Sequence, residues 1–307
     1  MNPDYLIAIL ASTAGAATPL VLASTGELVA ERSGVLNLGL EGIMLVGAVA
    51  GFSTTLHSGS SVLGLGAALL AGMALALVFA FLVLTLQTNQ VATGLALTLF
   101  GTGLSAFLGR DLVGQTVAPL PALHLPLLSD LPFVGPLLFR FDAMVYASLA
   151  LVAVVAWLLA RTRVGLLIRA VGEAPHSAHA IGMPVVKLRY AAVLSGGALA
   201  GLGGAYLSLA LTPMWVEGMT AGRGWIALAQ VVFATWKPRG LLLGAYLFGG
   251  VTVLQFHGQG LGVPIPSEFL SMLPYLATIL VLVIICRNPQ TILLNKPMSL
   301  GQNFKAD

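Results

Sequence analysis

The sequence predicts an all-α fold, a polytopic integral membrane bundle of about nine transmembrane helices, and three observations carry that expectation. Only 8% of the 307 residues are charged, against about 25% in soluble domains. Hydrophobic residues make up 58% and mean hydropathy is +0.96. The apolar residues gather into runs of roughly 18 to 25, the length that crosses a hydrocarbon core about 30 Å thick. The short alternating pattern of an outer-membrane barrel is absent from the chain. All of residues 1–307 read as one membrane domain. The pI of about 9.2 does not point to nucleic acid, because the basic residues lie at span ends and in loops. Cys286 is the only cysteine and reads as a small packing residue, so no internal disulfide is expected.

The first span covers about residues 5–24, with Pro19 as a kink that neighbouring helices must accommodate. The start, MNPDY, has no basic n-region, so this run reads as a retained helix. A polar stretch, 27–33, containing Glu31 and Arg32, leads to a second span at about 35–56. After a polar turn at 57–61 come a third span, about 62–86, the connector QTNQ (87–90) and a fourth span, about 91–108. Residues 109–142 then carry Pro119, Pro121, Pro126, Pro132 and Pro136, a density that prevents a regular spanning helix. They read as an extracytoplasmic loop with a re-entrant or interfacial piece at 123–138. Fifth and sixth spans at about 144–160 and 191–211 flank a basic loop. A connector at 212–224, a short seventh span at 225–236, an eighth at 241–256 and a ninth at 269–286 complete the count.

The basic loop, 161–190, concentrates Arg161, Arg163, Arg169, Lys187 and Arg189 around a single acid, Glu173. Loops this rich in Lys and Arg lie on the cytoplasmic side. With Lys237, Arg239, Arg287, Lys296 and Lys305 on the same face, the N-terminus falls outside and the C-terminus in the cytoplasm. Within the loop, 171–182 reads as a short helix closed by Gly182 and Pro184. Such a helix suits either a cytosolic partner that pushes on it or a bed of anionic lipid. The sixth span has Gly196, Gly197, Gly201, Gly203 and Gly204, a flat face on which another backbone can pack, inside the subunit or between subunits.

Ionisable and amide groups at membrane depth are the candidate functional residues. In GVLNLGLEGIM, residues 34–44, Asn37 and Glu41 are four apart and would share a helical face, with Glu41 about 10–12 Å deep at about 1.5 Å per residue. They either line a polar path for a solute or form a structural latch to a neighbouring helix. Asn89, Gln90, Thr93 and Gln230 are further uncharged polar groups that suit a neutral, hydroxylated ligand, or equally a satisfied interhelical hydrogen bond. LSGG at 194–197 matches the start of an ATPase signature, but it lies in an apolar span and no phosphate loop accompanies it. His57, His124 and His257 fall in or beside outside segments. His176 and His179, three apart on the basic loop, read as a solvated face rather than a metal site. No metal site and no nucleophile–base pattern is expected, and no catalytic residue.

GVLNLGLEGIMLVGA (34–48), TNQVATGLAL (88–97), RAVGEAPHSAHAIGM (169–183), LSGGALAGLGGAYL (194–207) and WKPRGLLLGAYLFGG (236–250) resemble the permease subunits of bacterial ATP-binding-cassette (ABC) importers. The resemblance is to the branched-chain amino acid and simple-sugar permeases, and within them to the nucleoside-type branch. It covers most of the chain, from about residue 26 to 287. It implies that 172–182 is a coupling helix seated on a cytosolic ATPase, with Arg169, Gly172, Glu173, Pro175, Ala178 and Gly182 in the coupling element. It also implies a homologous second permease subunit, an extracytoplasmic substrate-binding protein and a place in the bacterial inner membrane. No cofactor is expected in this chain, since ATP and Mg would be held by the partner ATPase.

The reading that follows is a non-catalytic importer subunit moving a small polar solute, a nucleoside first and a simple sugar or branched-chain amino acid second, by alternating access. Asn37, Glu41, Asn89, Gln90, Thr93 and Gln230 would border the path. The competing class is a proton-coupled secondary transporter using Glu41. The lack of an obvious second membrane carboxylate or histidine counts against it.

Overall fold

The computed structural model describes residues 3–123, 135, 138–260, 266, 269–270, 272–286 and 294–305. Helices α1 (Pro3–Arg32), α2 (Leu40–Ser58), α3 (Ser61–Ala80), α4 (Gln90–Gly109) and α5 (Ala143–Arg161) precede the basic loop. The loop holds α6 (Arg163–Glu173) and α7 (Pro175–Ala180). After it come α8 (Val185–Tyr206), α9 (Arg223–Phe233), α10 (Pro238–Gly260) and α11 (Leu273–Cys286). Local chemistry sets several of the starts. Asn89, Asp142 and Thr162 each accept a backbone N–H from the first turn of the helix that follows, satisfying donors a helix start leaves open. Gly59, at φ +70, closes α2.

The helical membrane bundle stands, but the count changes. Among the described residues seven helices are long and apolar enough to cross a membrane, not nine. The expected seventh span is α9, eleven residues; the expected ninth is α11, fourteen described residues. Three boundaries also differ. α1 does not stop near Ser24 but runs on through Glu27 and Glu31 to Arg32. Residues 34–39 are not helical, so Asn37 precedes α2 and does not share a helical face with Glu41. The expected 171–182 helix is two, broken at Ala174, where Pro175 opens α7. The side chain of Cys286, His124 and most of the 123–138 piece lie outside the described residues.

α8 is the central post and packs on α1, α2 and α3. Its glycines make this possible. A Cβ on Gly201 would collide with the Ala68 carbonyl of α3, and one on Gly203 would lie 2.9 Å from the Pro19 carbonyl of α1. The flat face is therefore used inside the subunit, with backbone against backbone. At the far end of α8 from the basic loop, residues 113–123 pair with 212–216 and Asp142. Val113 bridges Trp215, Thr116 bridges Met214 and Ala122 bridges Asp142. The flank of the Pro-rich segment and the 212–224 connector thus share one surface.

Candidate functional site

Two interruptions of helical structure organise the polar residues. The first is 34–39, between α1 and α2. A backbone group left unpaired in hydrocarbon costs several kcal/mol, so an extended segment here needs side-chain partners, and the sequence supplies them. Glu27 Oε1 accepts from Asn37 N at 3.0 Å and Gln90 Oε1 accepts from Leu36 N at 2.9 Å. Thr98 Oγ1 donates to the Leu38 carbonyl at 2.8 Å, and Asn37 Oδ1 accepts from Gly39 N at 2.9 Å. Asn37 and Gln90 are both buried. Asn89 is exposed as the cap of α4, and Thr93 pairs with Thr88 through their hydroxyls at 2.9 Å.

The second interruption is 212–222, which delivers the N-terminus of α9 into the protein. Eleven residues at about 1.5 Å make α9 about 16 Å long, half a bilayer core. Its start meets the start of α2. Glu41 Oε1 accepts from the Thr220 hydroxyl at 2.6 Å and Gly222 N at 2.8 Å, and Oε2 accepts from Gly224 N at 2.6 Å. A Cβ on Gly224 would stand 2.5 Å from the Glu41 Cα, so only glycine fits there. A carboxylate at a helix N-terminus also meets the positive end of its dipole. Further along α9, Gln230 is buried, and among the described residues neither amide atom has a hydrogen-bond partner.

Sequence reasoning passed over two carboxylates. Glu27 and Glu31 are buried on α1, four residues apart, so the chain does hold membrane carboxylates besides Glu41. Glu31 Oε2 accepts from Trp236 Nε1 at 2.6 Å and, with Lys296, lines a crevice beside Leu36 and Leu38. The signal was their i, i+4 spacing within a run that continues the first apolar span.

At the basic end, α7 buries Pro175 and Ala178 and exposes His176, Ser177, His179 and Ala180. Gly182, at φ +84, turns the chain toward α8. Gly172 is buried; a Cβ on it would strike the Arg32 carbonyl. Arg169 lies half-buried along α6, its Nε donating to the Gly165 carbonyl at 3.4 Å.

The C-terminal segment, which the sequence did not single out, ties the basic end to the 34–39 break and the start of α4. The Ser299 hydroxyl donates to the Gly172 carbonyl at 2.6 Å, and Met298 N donates to Glu173 Oε2 at 3.4 Å. Phe304 is buried against Val171, Ala178 and Val185, with the rings of His176 and His179 at 5.0 and 5.6 Å. Gly301 N donates to the Gly34 carbonyl at 3.1 Å. Asn303 Nδ2 donates to the carbonyls of Gln87 and Thr88, and Gln90 Nε2 donates to Asn303 Oδ1. The buried Arg189 donates to the Ser33 carbonyl, the Gln302 carbonyl and Ser299 Oγ at 3.1, 3.1 and 3.0 Å.

Six expected path residues thus fall into two groups. Asn37 and Gln90 meet at the 34–39 break, with Asn89 and Thr93 at the start of α4 beside Gln90, while Glu41 holds the start of α9 and Gln230 lies on α9 itself. Sequence comparison gives this arrangement its context. The chain is 44% identical, over 99% of both chains, to the putative glucose ABC transporter permease protein TsgC13 of Haloferax volcanii. It is 33% identical to the guanosine ABC transporter permease protein NupQ of Bacillus subtilis, over 91% of this chain and 92% of that one. It is 35% identical to the nucleoside ABC transporter permease protein NupC of Lactococcus lactis, over 86% and 88%. The model of the branched-chain amino acid transport system / permease component family matches residues 9–284. With that match across nearly the whole bundle, the chain belongs to this family of ABC permeases, as a multi-pass membrane protein.

Proposed function

We propose that the chain is the membrane-spanning subunit of an ABC importer for nucleosides, working with a second permease subunit, a cytosolic ATPase and an extracytoplasmic binding protein. The observation that carries the coupling part is α7. It is a short helix with a buried inner face and an exposed outer one, held at the end where the arginines and lysines collect. A partner seated there moves a rigid body, since packed elements shift as units rather than deform continuously. In this reading that end is cytoplasmic, the N-terminus lies outside, and ATP and Mg stay on the ATPase. Arg169, Gly172, Glu173, Pro175, Ala178 and Gly182 form or support the contact. Solute enters at the opposite end, where 113–123 meets 212–216, and passes the polar groups at the two helix breaks.

The nucleoside assignment draws on the kinship with permeases named for guanosine and nucleosides. A specific observation favours a second reading, a simple sugar, because the glucose-named relative is the more similar one. Calorimetric titration of the partner binding protein with guanosine, adenosine, glucose and leucine separates them. Nanomolar-to-micromolar binding of nucleosides alone is expected; binding of glucose alone replaces the nucleoside reading by the sugar one. Because Glu27 and Glu31 are additional buried carboxylates, ATP-supplied vesicles should also be treated with a protonophore. Uptake is expected to persist, and its loss would make the chain proton-coupled.

A further inference from the structure

The end of the bundle opposite α7 contains a cavity of about 470 Å³, between α1, the turn that ends α8, and α10. It shares Ala221, Arg223, Thr252 and Phe256 with a second cavity, of about 340 Å³, walled by Tyr275. These sizes fall in the range of small-molecule sites, about 300–1,000 Å³. The irregular 212–222 segment forms part of the wall. Irregular backbone at membrane depth persists where it is buried in protein or lines a wet cavity, and half-length helices that begin there place oriented backbone groups beside a solute.

We propose that this cavity is the solute chamber, that Arg223 recognises the acceptor edge of a nucleobase, and that Phe256 and Tyr275 supply faces for the ring. The proposal deepens the nucleoside reading above and rests on it. Glu41 has the part of a positioning residue. Its carboxylate already takes the Thr220 hydroxyl and the Gly222 and Gly224 amides, the donors a helix start would otherwise offer to an anion. Those helix-start donors are therefore occupied rather than offered to a solute. Arg223 remains as the charged donor. Its Nη1 is anchored to the Met219 and Thr220 carbonyls, both at 3.2 Å. Among the described residues, Nε and Nη2 have no protein acceptor. A planar guanidinium fork fixed on one side matches the paired carbonyl and ring-nitrogen acceptors of a guanine edge. A sugar offers it isolated hydroxyls and no such pair. Thr252 stands on the same wall for a ribose hydroxyl.

The test uses the whole importer in detergent, photolabelled with 8-azidoguanosine, with the labelled peptides mapped. Label is expected within 212–226 or 248–260, displaced by guanosine. R223Q should lower labelling about tenfold or more, the effect of a lost charged hydrogen bond, and R223K should fall between, keeping charge without the fork. Should R223Q fail to assemble, Phe256→Leu decides, with an expected loss of about threefold from the missing ring contact. Label confined to other segments, or undiminished in both variants while nucleoside uptake continues, overturns the chamber and leaves the nucleoside reading standing. An importer that carries glucose and no nucleoside removes that reading, and base recognition by Arg223 with it.

Discussion

Glu41 and Gln230 are both buried polar groups, and their surroundings give them opposite energetics. The Glu41 carboxylate accepts three hydrogen bonds from the 220–224 turn. Glu41→Gln keeps the shape but turns one acceptor into an NH₂ group facing a donor, at a cost of about 1.5–3 kcal/mol for a charged bond. The expected outcome is a lower melting temperature of the purified subunit, with faster hydrogen exchange in 212–224, together with reduced uptake. Lost uptake with unchanged melting would assign Glu41 to solute contact alone. Among the described residues Gln230 has no hydrogen-bond partner to lose. Gln230→Leu replaces an unsatisfied amide by an apolar group of similar size, so melting should hold or rise, while uptake falls if the amide meets solute on its way. The sequence marked both residues by type and depth. It could not tell them apart, because the donors to Glu41 lie about 180 residues downstream.

At the scale of elements, the long spans were legible because length and hydropathy suffice for them. The 34–39 break was not, since the same residues satisfy a helical period and only distant Glu27, Gln90 and Thr98 make an extended path affordable in an apolar surrounding. The short helix in the basic loop was legible in its composition, and its split at Ala174 followed from Pro175, which cannot continue a helix without breaking its bonds. The C-terminal strap was invisible, because nothing in residues 294–304 announces where Phe304 inserts. Burying a phenylalanine ring is worth about 3–5 kcal/mol when it is fully enclosed. Phe304→Ala should therefore release the strap locally, raising hydrogen exchange in 294–304 and in 174–184, and weakening co-purification of the ATPase. Unchanged exchange in 174–184 would show that α7 is held without the strap.

Taken as a whole molecule, hydrogen bonds, ring packing and the chain itself link α7 to the opposite end of the bundle. α7 rests on Phe304, and Ser299 holds the Gly172 carbonyl beside it. The same strap holds the Gly34 carbonyl and, through Arg189, the Ser33 carbonyl. From there 34–39 leads into α2, whose Glu41 fixes the start of α9 and so the wall of the far cavity. Spatial connection alone does not establish energetic coupling; a double-mutant cycle does. Ser299→Ala removes one strap bond to Gly172, whose carbonyl keeps the Ser299 amide, and the hydroxyl acceptor of Arg189, which keeps the Ser33 and Gln302 carbonyls, so the fold should persist with a lower melting temperature. Combined with Glu41→Gln, its effect on the number of solutes carried per ATP hydrolysed should depart from the sum of the single effects by about 0.5 kcal/mol or more, the range seen for sites within one network. If α7 instead acts on the cavity through rigid tilting of α8 alone, the two losses should add within about 0.3–0.5 kcal/mol. That outcome would move the transmission from the strap to the glycine-packed post, where Gly201→Val, which forces α3 away from α8, becomes the informative change.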